Sequence, residues 1–371
     1  MDDFLDKNLQ KRKLNNSLRC LPSSNILIDF SSNDYLGLAK SAEAKKQIDN
    51  LLNTHNNYLL GATGSRLLSG NSNFAMELEK ELASFHAAES GLLFNSGYDA
   101  NLGLLSCVPQ KGDTIICDQN IHACIIDGAR LSFAKRFTFK HNDLASLENK
   151  LKNSTGNIFI VVESIYSMDG DQAPLIQISA LAKKYNANVI VDEAHATGII
   201  GDKGAGLVQH LGLEKDIFAR VVTFGKALGC HGAIILGSEK LKQYLVNFAR
   251  SFVYTTALPF HSLVTIKAMY ALMVKQEDIT LIKNNISFFK SQFLNSNLFL
   301  IESNSAIQCL VISGNQKCKN IAESLQKNGF DVKAILSPTV AVGKERLRIC
   351  MHSYNTEEEI LELCKLLKLN Y

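Results

Sequence analysis

Five short apolar runs along the middle of the chain restrict its fold more than any other feature. They are Leu92-Leu93-Phe94, Thr114-Ile115-Ile116-Cys117, Ile158 to Val162, Asn188 to Val191 and Val221-Val222-Thr223-Phe224, and they carry almost no polar alternation. A strand with one face in water alternates apolar and polar side chains, so these runs belong to strands covered on both faces. Segments of helical period lie between them, such as Leu175, Ile178, Leu181, Ala182 and Tyr185 behind Pro174. Strands alternating with helices predict an α/β fold, a mainly parallel sheet flanked by helices.

Two of the runs stop abruptly at charged groups. One ends in Asp192-Glu193-Ala194-His195, the other in Gly225-Lys226-Ala227-Leu228-Gly229. A lysine among small residues at one strand end, with a carboxylate at another, is what pyridoxal phosphate chemistry requires. The amine bonds to the cofactor's aldehyde carbon, and the carboxylate keeps the pyridine nitrogen protonated so that the ring accepts electrons.

Other residues suit the same chemistry, although each alone has a plainer reading. Gly97-Tyr98, at a strand-to-helix junction, offers backbone N–H groups to a phosphate, or is an ordinary tight turn. His122 opens a helix, where its ring could lie against a flat cofactor or serve as a cap. His195 could meet the cofactor's phenolic oxygen or cap the next segment. Thr223 carries a hydroxyl toward a phosphate, or is simply a β-former. The Arg348 fork suits a carboxylate, as any arginine does.

Composition narrows the class. At 371 residues with 46% apolar side chains, the chain can bury a sizeable core. A net charge of +3, with no basic cluster interleaved with aromatics, argues against nucleic acid as a partner. Nine scattered cysteines without a CxxC pair fit free thiols in a reducing compartment, so no metal and a cytoplasmic location are expected. The acidic start Met1-Asp2-Asp3 lacks an apolar signal core, and no run reaches the ~18–20 residues of a membrane span.

Toward the termini, residues 1–20 are expected as a short helix whose Phe4, Leu5, Leu9 and Leu14 pack on another surface. Ile26 to Phe30 is a strand candidate, and residues 41–55 are helical. Gly61 to Gly70 is a glycine-serine loop without the lysine of a nucleotide phosphate loop. From about residue 280 a smaller α+β lobe is expected, with strands at Ile307–Ile312 and Arg346–Cys350 and a capping box at Thr356 and Glu359. The expected division is an N-terminal segment 1–40, a large domain 41–275 and a small C-terminal domain 276–371.

Ser31 to Leu38, Gly61 to Gly70, Ser167-Met168-Asp169-Gly170-Asp171, Val191 to His195 and Thr223-Phe224-Gly225-Lys226 follow one another in order. Together they resemble the α-oxoamine synthases, a branch of the fold-type-I pyridoxal phosphate enzymes. The resemblance runs from about residue 15 to the C-terminus and implies a mainly parallel seven-stranded-type sheet with a smaller C-terminal lobe. It implies Lys226 as the cofactor lysine, Asp192 as partner of the ring nitrogen, His122 against the ring and His195 near its 3-oxygen. Gly97, Tyr98, Ser167 and Thr223 would surround the cofactor. Tyr254-Thr255-Thr256 matches the segment that reaches the phosphate of the neighbouring subunit, which implies a homodimer. Arg19, Asn33, His122, Thr339 and Arg348 fall on substrate-side positions.

Gly64 to Gly70 is most similar to the biotin-pathway branch, which joins L-alanine to a pimeloyl thioester carried on coenzyme A or acyl carrier protein. The alternatives are a relative using glycine or serine, and a silent partner subunit, against which the retention of Lys226, Asp192 and His122 argues. One loop departs from the family pattern. The usual Ile-Arg-Pro-Pro-Thr-Val-Pro reads Ile335-Leu336-Ser337-Pro338-Thr339-Val340-Ala341 here. His231, shortly after the lysine, is bulkier than expected at its position.

Overall fold

The computed structural model describes residues 3–21, 27–55, 57–275, 277–294 and 296–371. The chain divides into two compact units, each considered by itself. One comprises residues 33–167 and 172–279, the other residues 1–32, 168–171 and 280–371.

The first unit is built on a seven-stranded sheet. Its strands are β1 (Ser90–Phe94), β2 (Thr114–Asp118), β3 (Lys135–Phe139), β4 (Ile158–Glu163), β5 (Ala187–Asp192), β6 (Ala219–Thr223) and β7 (Ala233–Gly237). Their spatial order is β1-β7-β6-β5-β4-β2-β3. Only β7 runs antiparallel to its neighbours, β1 and β6. The five apolar runs of the sequence all lie in this sheet, and their side chains divide between its two faces as the strand period of two demands. Phe159, Val161, Ile190 and Val221 join one buried cluster, whereas Ile158, Ile160, Val162 and Val191 join another. Helices over both faces keep these runs dry, which explains their lack of alternation. The edge strand β3, with Lys135, Arg136 and Thr138 exposed, lacks that pattern and was not expected from sequence.

Two helices matter for the site. Helix α1 (Gly97–Cys107) starts at Ser96, whose hydroxyl accepts the Asp99 N–H as an N-cap. Helix α2 (Ala123–Leu131) is capped by the His122 ring, which accepts the Cys124 N–H. Among the described residues no helix is long and apolar enough to cross a membrane.

The second unit holds an antiparallel three-stranded sheet ordered Lys333–Ile335, Arg346–Cys350, Ile307–Val311. Helices Asn315–Lys327 and Glu357–Asn370 belong to it, the latter with the expected reciprocal capping box between Thr356 and Glu359. The strand expected over Ile26 to Phe30 is the two-residue Ile28–Asp29, paired in parallel with Phe330–Asp331, and Ile26 lies outside the described residues. The expected N-terminal helix forms as Asp3–Leu14, and its Phe4, Leu5, Leu9 and Leu14 are exposed on the single chain.

Candidate active site

In a parallel sheet every strand delivers its last residue to the same edge, where open α/β folds bind their ligands. Here the parallel strands deliver Asp118, Glu163, Asp192 and Thr223. Glu163 and Asp192 are register partners on adjacent strands, and Lys226 follows β6 by three residues.

Asp192 is buried and held at both oxygens. Its Oδ1 accepts the Ala194 N–H at 2.8 Å and its Oδ2 accepts Asn101 Nδ2 at 2.7 Å. Asn101 lies four residues after Gly97 on α1 and also donates to the Gly97 carbonyl at 3.1 Å. The carboxylate is thereby aimed by a helix and a turn independent of its own strand.

Glu163 is a site residue that the sequence reading did not single out. It is fully buried, and its Oε2 accepts the Ser167 N–H at 3.1 Å. Burial first, and then the Asp192 charge, push its carboxyl up to about 8. The available signal was its place: a carboxylate ending an apolar run, as Asp192 does.

An imidazole stands beside the lysine: His195 Nε2 lies 2.9 Å from Lys226 Nζ. His122 accepts the Cys124 N–H at Nδ1, 3.2 Å away, so its neutral ring carries its proton on Nε2. Desolvation first, then the Lys226 charge, lower the pKa of His122 and favour that neutral form. The Cys124 thiol, 3.0 Å from the same Nδ1, is pushed well above its usual range by burial, so it stays protonated.

The start of α1 offers what a phosphate cradle needs. A Cβ at Gly97 would run into the Thr223 methyl, so only glycine lets the helix end approach β6 this closely. The Thr223 hydroxyl is buried and finds no hydrogen-bond partner among the described residues. An unsatisfied buried hydroxyl beside the N–H groups of an eleven-residue helix suits a phosphate oxygen. Lysine, carboxylate, cradle and imidazoles therefore fit pyridoxal phosphate. Tyr98 lies beside this cradle with its ring half exposed and its hydroxyl donated to Asp127. Ser167 is buried at the end of the Glu163 turn.

Thr255 and Thr256 line a different hollow, with Arg66, Gly70, Asn95 and Ser251. There the glycine-serine loop docks on their segment: Ala257 N–H donates to the Gly64 carbonyl at 3.0 Å, and Asn95 Nδ2 donates to the Thr256 carbonyl at 2.8 Å. Tyr254 is exposed. Arg66 is tied to the buried Glu79 and to Asn71, so it holds the loop closed. His231 is exposed.

The substrate-side residues divide between the units. Asn33 stands in the same unit as Lys226, and its Oδ1 accepts the Tyr35 hydroxyl at 3.0 Å. Arg19, Thr339 and Arg348 belong to the other unit, where Arg19 Nη2 donates to Thr339 Oγ1 at 3.0 Å. Arg348 is buried mid-strand opposite Cys309 and Lys333, and its Nη1 lies 3.0 Å from Cys350 Sγ.

Comparison with known proteins agrees with this arrangement. The family model for aminotransferase class I and II matches residues 25–367. An 8-amino-7-oxononanoate synthase from Emericella nidulans is 43% identical over 96% of this chain and 93% of its own length. Among solved structures, the Sphingomonas wittichii serine palmitoyltransferase superposes with a TM-score of 0.90 at 25% identity, covering 100% of this chain and 96% of that one. The 8-amino-7-oxononanoate synthase of Francisella tularensis gives 0.80 at 29% identity, over 92% of this chain and 97% of that one. With a family match over nearly its whole length and a relative 43% identical along almost both chains, this chain belongs to the aminotransferase class I and II family, in its α-oxoamine synthase branch.

Proposed function

We propose that this protein is a pyridoxal phosphate-dependent acyltransferase that condenses L-alanine with a pimeloyl thioester to give 8-amino-7-oxononanoate for biotin synthesis. The observation that carries the reading is the 43% identity to the Emericella nidulans 8-amino-7-oxononanoate synthase along almost both full lengths. In the reaction the α-carbon of alanine gives up its proton and bonds to the acyl carbon, the carrier departs as a thiolate that takes up a proton, and the amino-acid carboxylate leaves as carbon dioxide, a proton taking its place on the α-carbon.

When bound, pyridoxal phosphate supplies an electron-withdrawing ring that takes up the electron pair left on the α-carbon. The chain's own residues do the rest. Lys226 Nζ would hold the cofactor and, as a free amine, would take the α-proton. Asp192, braced by Asn101 and Ala194, would keep the ring nitrogen protonated. His122 would lie against the ring, with Nε2–H as a donor, and His195 would meet the 3-oxygen. Gly97, Tyr98, Ser167 and Thr223 would surround the rest. Arg348 takes the amino-acid carboxylate, while Arg19, Asn33 and Thr339 serve the substrate side.

Serine palmitoyltransferase, the structural neighbour with the higher TM-score, supports a second reading: serine with a longer acyl chain. Backbone likeness reports the fold that all branches share, whereas side-chain identity reports the site, and identity favours alanine and pimeloyl. The test compares alanine, glycine and serine with pimeloyl, succinyl, acetyl and palmitoyl thioesters, on coenzyme A and on acyl carrier protein. Alanine with pimeloyl is expected to lead in kcat/KM, and any pair exceeding it tenfold overturns the substrate assignment. Some glycine turnover is expected, because one methyl group discriminates by only ~1–3 kcal/mol. In the same assay Arg348→Lys should raise the KM for alanine about tenfold or more, since a point charge cannot replace a bidentate fork.

The active unit is a homodimer in the cytoplasm. Nine free cysteines among the described residues fit a reducing compartment. Thr255 and Thr256 line a hollow apart from the Lys226 cluster, which fits service to the partner's phosphate site. Mixing a Lys226→Ala chain with a Thr255→Ala/Thr256→Ala chain tests this. Half the dimers would be mixed, each with one intact site, so about a quarter of native activity should return. Absence of recovery in demonstrated heterodimers would place the threonines in their own chain's site.

A further inference from the structure

Three parts of the site converge on the side chain of Asn101. Its Nδ2 lies 2.7 Å from Asp192 Oδ2, 3.1 Å from the Gly97 carbonyl and 3.3 Å from Cys124 Sγ. Gly97 opens the helix end suited to a phosphate, and Cys124 Sγ lies 3.0 Å from His122 Nδ1. A carboxylate only accepts, so the amide turns its NH₂ toward Asp192. One hydrogen then serves Asp192, and the other is left to the Gly97 carbonyl and the Cys124 sulfur. This orientation leaves Asn101 Oδ1 buried without a partner among the described residues. Asn101 is 1% exposed, and its helical neighbours Ala100, Leu104 and Leu105 are fully buried, so a leucine here would satisfy packing alone. An orphaned amide oxygen in an apolar core is costly, and a polar task explains why the amide stands there.

We propose that Asn101 is a positioning residue that fixes the Asp192 carboxylate relative to the phosphate end of α1, so that the two ends of the cofactor meet anchors at one set separation. An aspartate turns about two side-chain bonds, and the Ala194 N–H holds only one of its oxygens. The Asn101 bond holds the other, and a hydrogen bond to a charged oxygen is about twice as strong as a neutral one. The same amide reaches the Gly97 carbonyl, so α1 and the end of β5 are tied through one side chain. Helix α2 presses on this turn of α1, where a Cβ at Gly128 would run into the Asn101 carbonyl. The inference rests on the reading of Asp192 as partner of the ring nitrogen.

Two substitutions separate this role from packing. Asn101→Leu keeps the volume and removes the donor. In the cofactor-loaded protein it should slow α-proton exchange of alanine about ten- to a hundredfold, the range for a hydrogen bond to a charged group. The KM for alanine should stay within about twofold, because Asn101 acts through Asp192 and not on the substrate. Asn101→Asp restores a donor only while the new carboxyl is protonated, and two adjacent buried carboxyls do not readily ionise together. Its exchange rate relative to the native protein should therefore fall as pH rises. The colour of the bound cofactor reports without substrate. A ring nitrogen held less firmly in its protonated form withdraws fewer electrons from the bond to Lys226, so in Asn101→Leu the yellow colour should persist to higher pH. Asp192→Asn is the reference: adding Asn101→Leu to it should slow exchange little further, because both act through one carboxylate. If Asp192→Asn slows exchange while Asn101→Leu leaves both exchange and colour titration native, the inference falls and the reading of Asp192 stands. Native exchange in cofactor-loaded Asp192→Asn would overturn both. Should Asn101→Leu fail to fold, the near-isosteric Asn101→Asp carries the test, and a pH-independent ratio to the native rate would overturn the proposal.

Discussion

Replacing Lys226 by alanine should lower the rate of α-proton removal by about 10⁴-fold, the upper range for a positioned proton-transfer group. His122 does not replace it, because its ring accepts the Cys124 N–H at Nδ1 and carries its proton on Nε2. The protein should be yellow as purified, and borohydride followed by peptide mapping should place the reduced cofactor on Lys226. A label on any other lysine would remove the assignment. The Lys226→Ala chain should still fold, because the residue is half-buried at a strand end and fills no part of the core.

Asp192→Asn should separate cofactor binding from cofactor use. The cradle of Gly97 and Thr223 and the bond to Lys226 remain, so cofactor content should stay near native. The amide, however, has no charge to hold the ring proton, and its geometry is also wrong. Asp192 accepts from Asn101 at one oxygen and from Ala194 at the other, so an amide must turn its NH₂ against one of these donors. Electrostatic partners of this kind are worth about 10²–10³ in rate, and α-proton exchange of alanine should fall by that factor. Near-native exchange with bound cofactor would show that Asp192 does not support the ring nitrogen. In that event Glu163, its register partner on β4, would be the next carboxylate to examine.

Much of this architecture was legible in the amino-acid order because the information is local. Valine- and isoleucine-rich runs without alternation can only be strands buried on both faces, and the charged groups that end them must emerge at the sheet edge. This places Asp192, Thr223 and Lys226 at that edge from their order alone. The Thr356–Glu359 capping box is likewise short-range. The edge strand β3 was hidden because one of its sides faces water and its side chains follow no buried pattern.

What only the tertiary structure decided is which polar atoms meet. Asn101 is an unremarkable amide on an apolar helix until packing sets it 2.7 Å from Asp192. Tyr35 and His195 are 160 residues apart, and the bond between them exists only because the loop after Asn33 returns to the sheet edge. Glu163 looks like any strand-ending carboxylate, and burial together with a second carboxylate on the neighbouring strand pushes its pKa up. Residue types and their order determined that this chain would build a sheet edge for pyridoxal phosphate chemistry. The protonation and aim of the groups at that edge depend on distances and desolvation, which arise only when segments remote in sequence share one dry space.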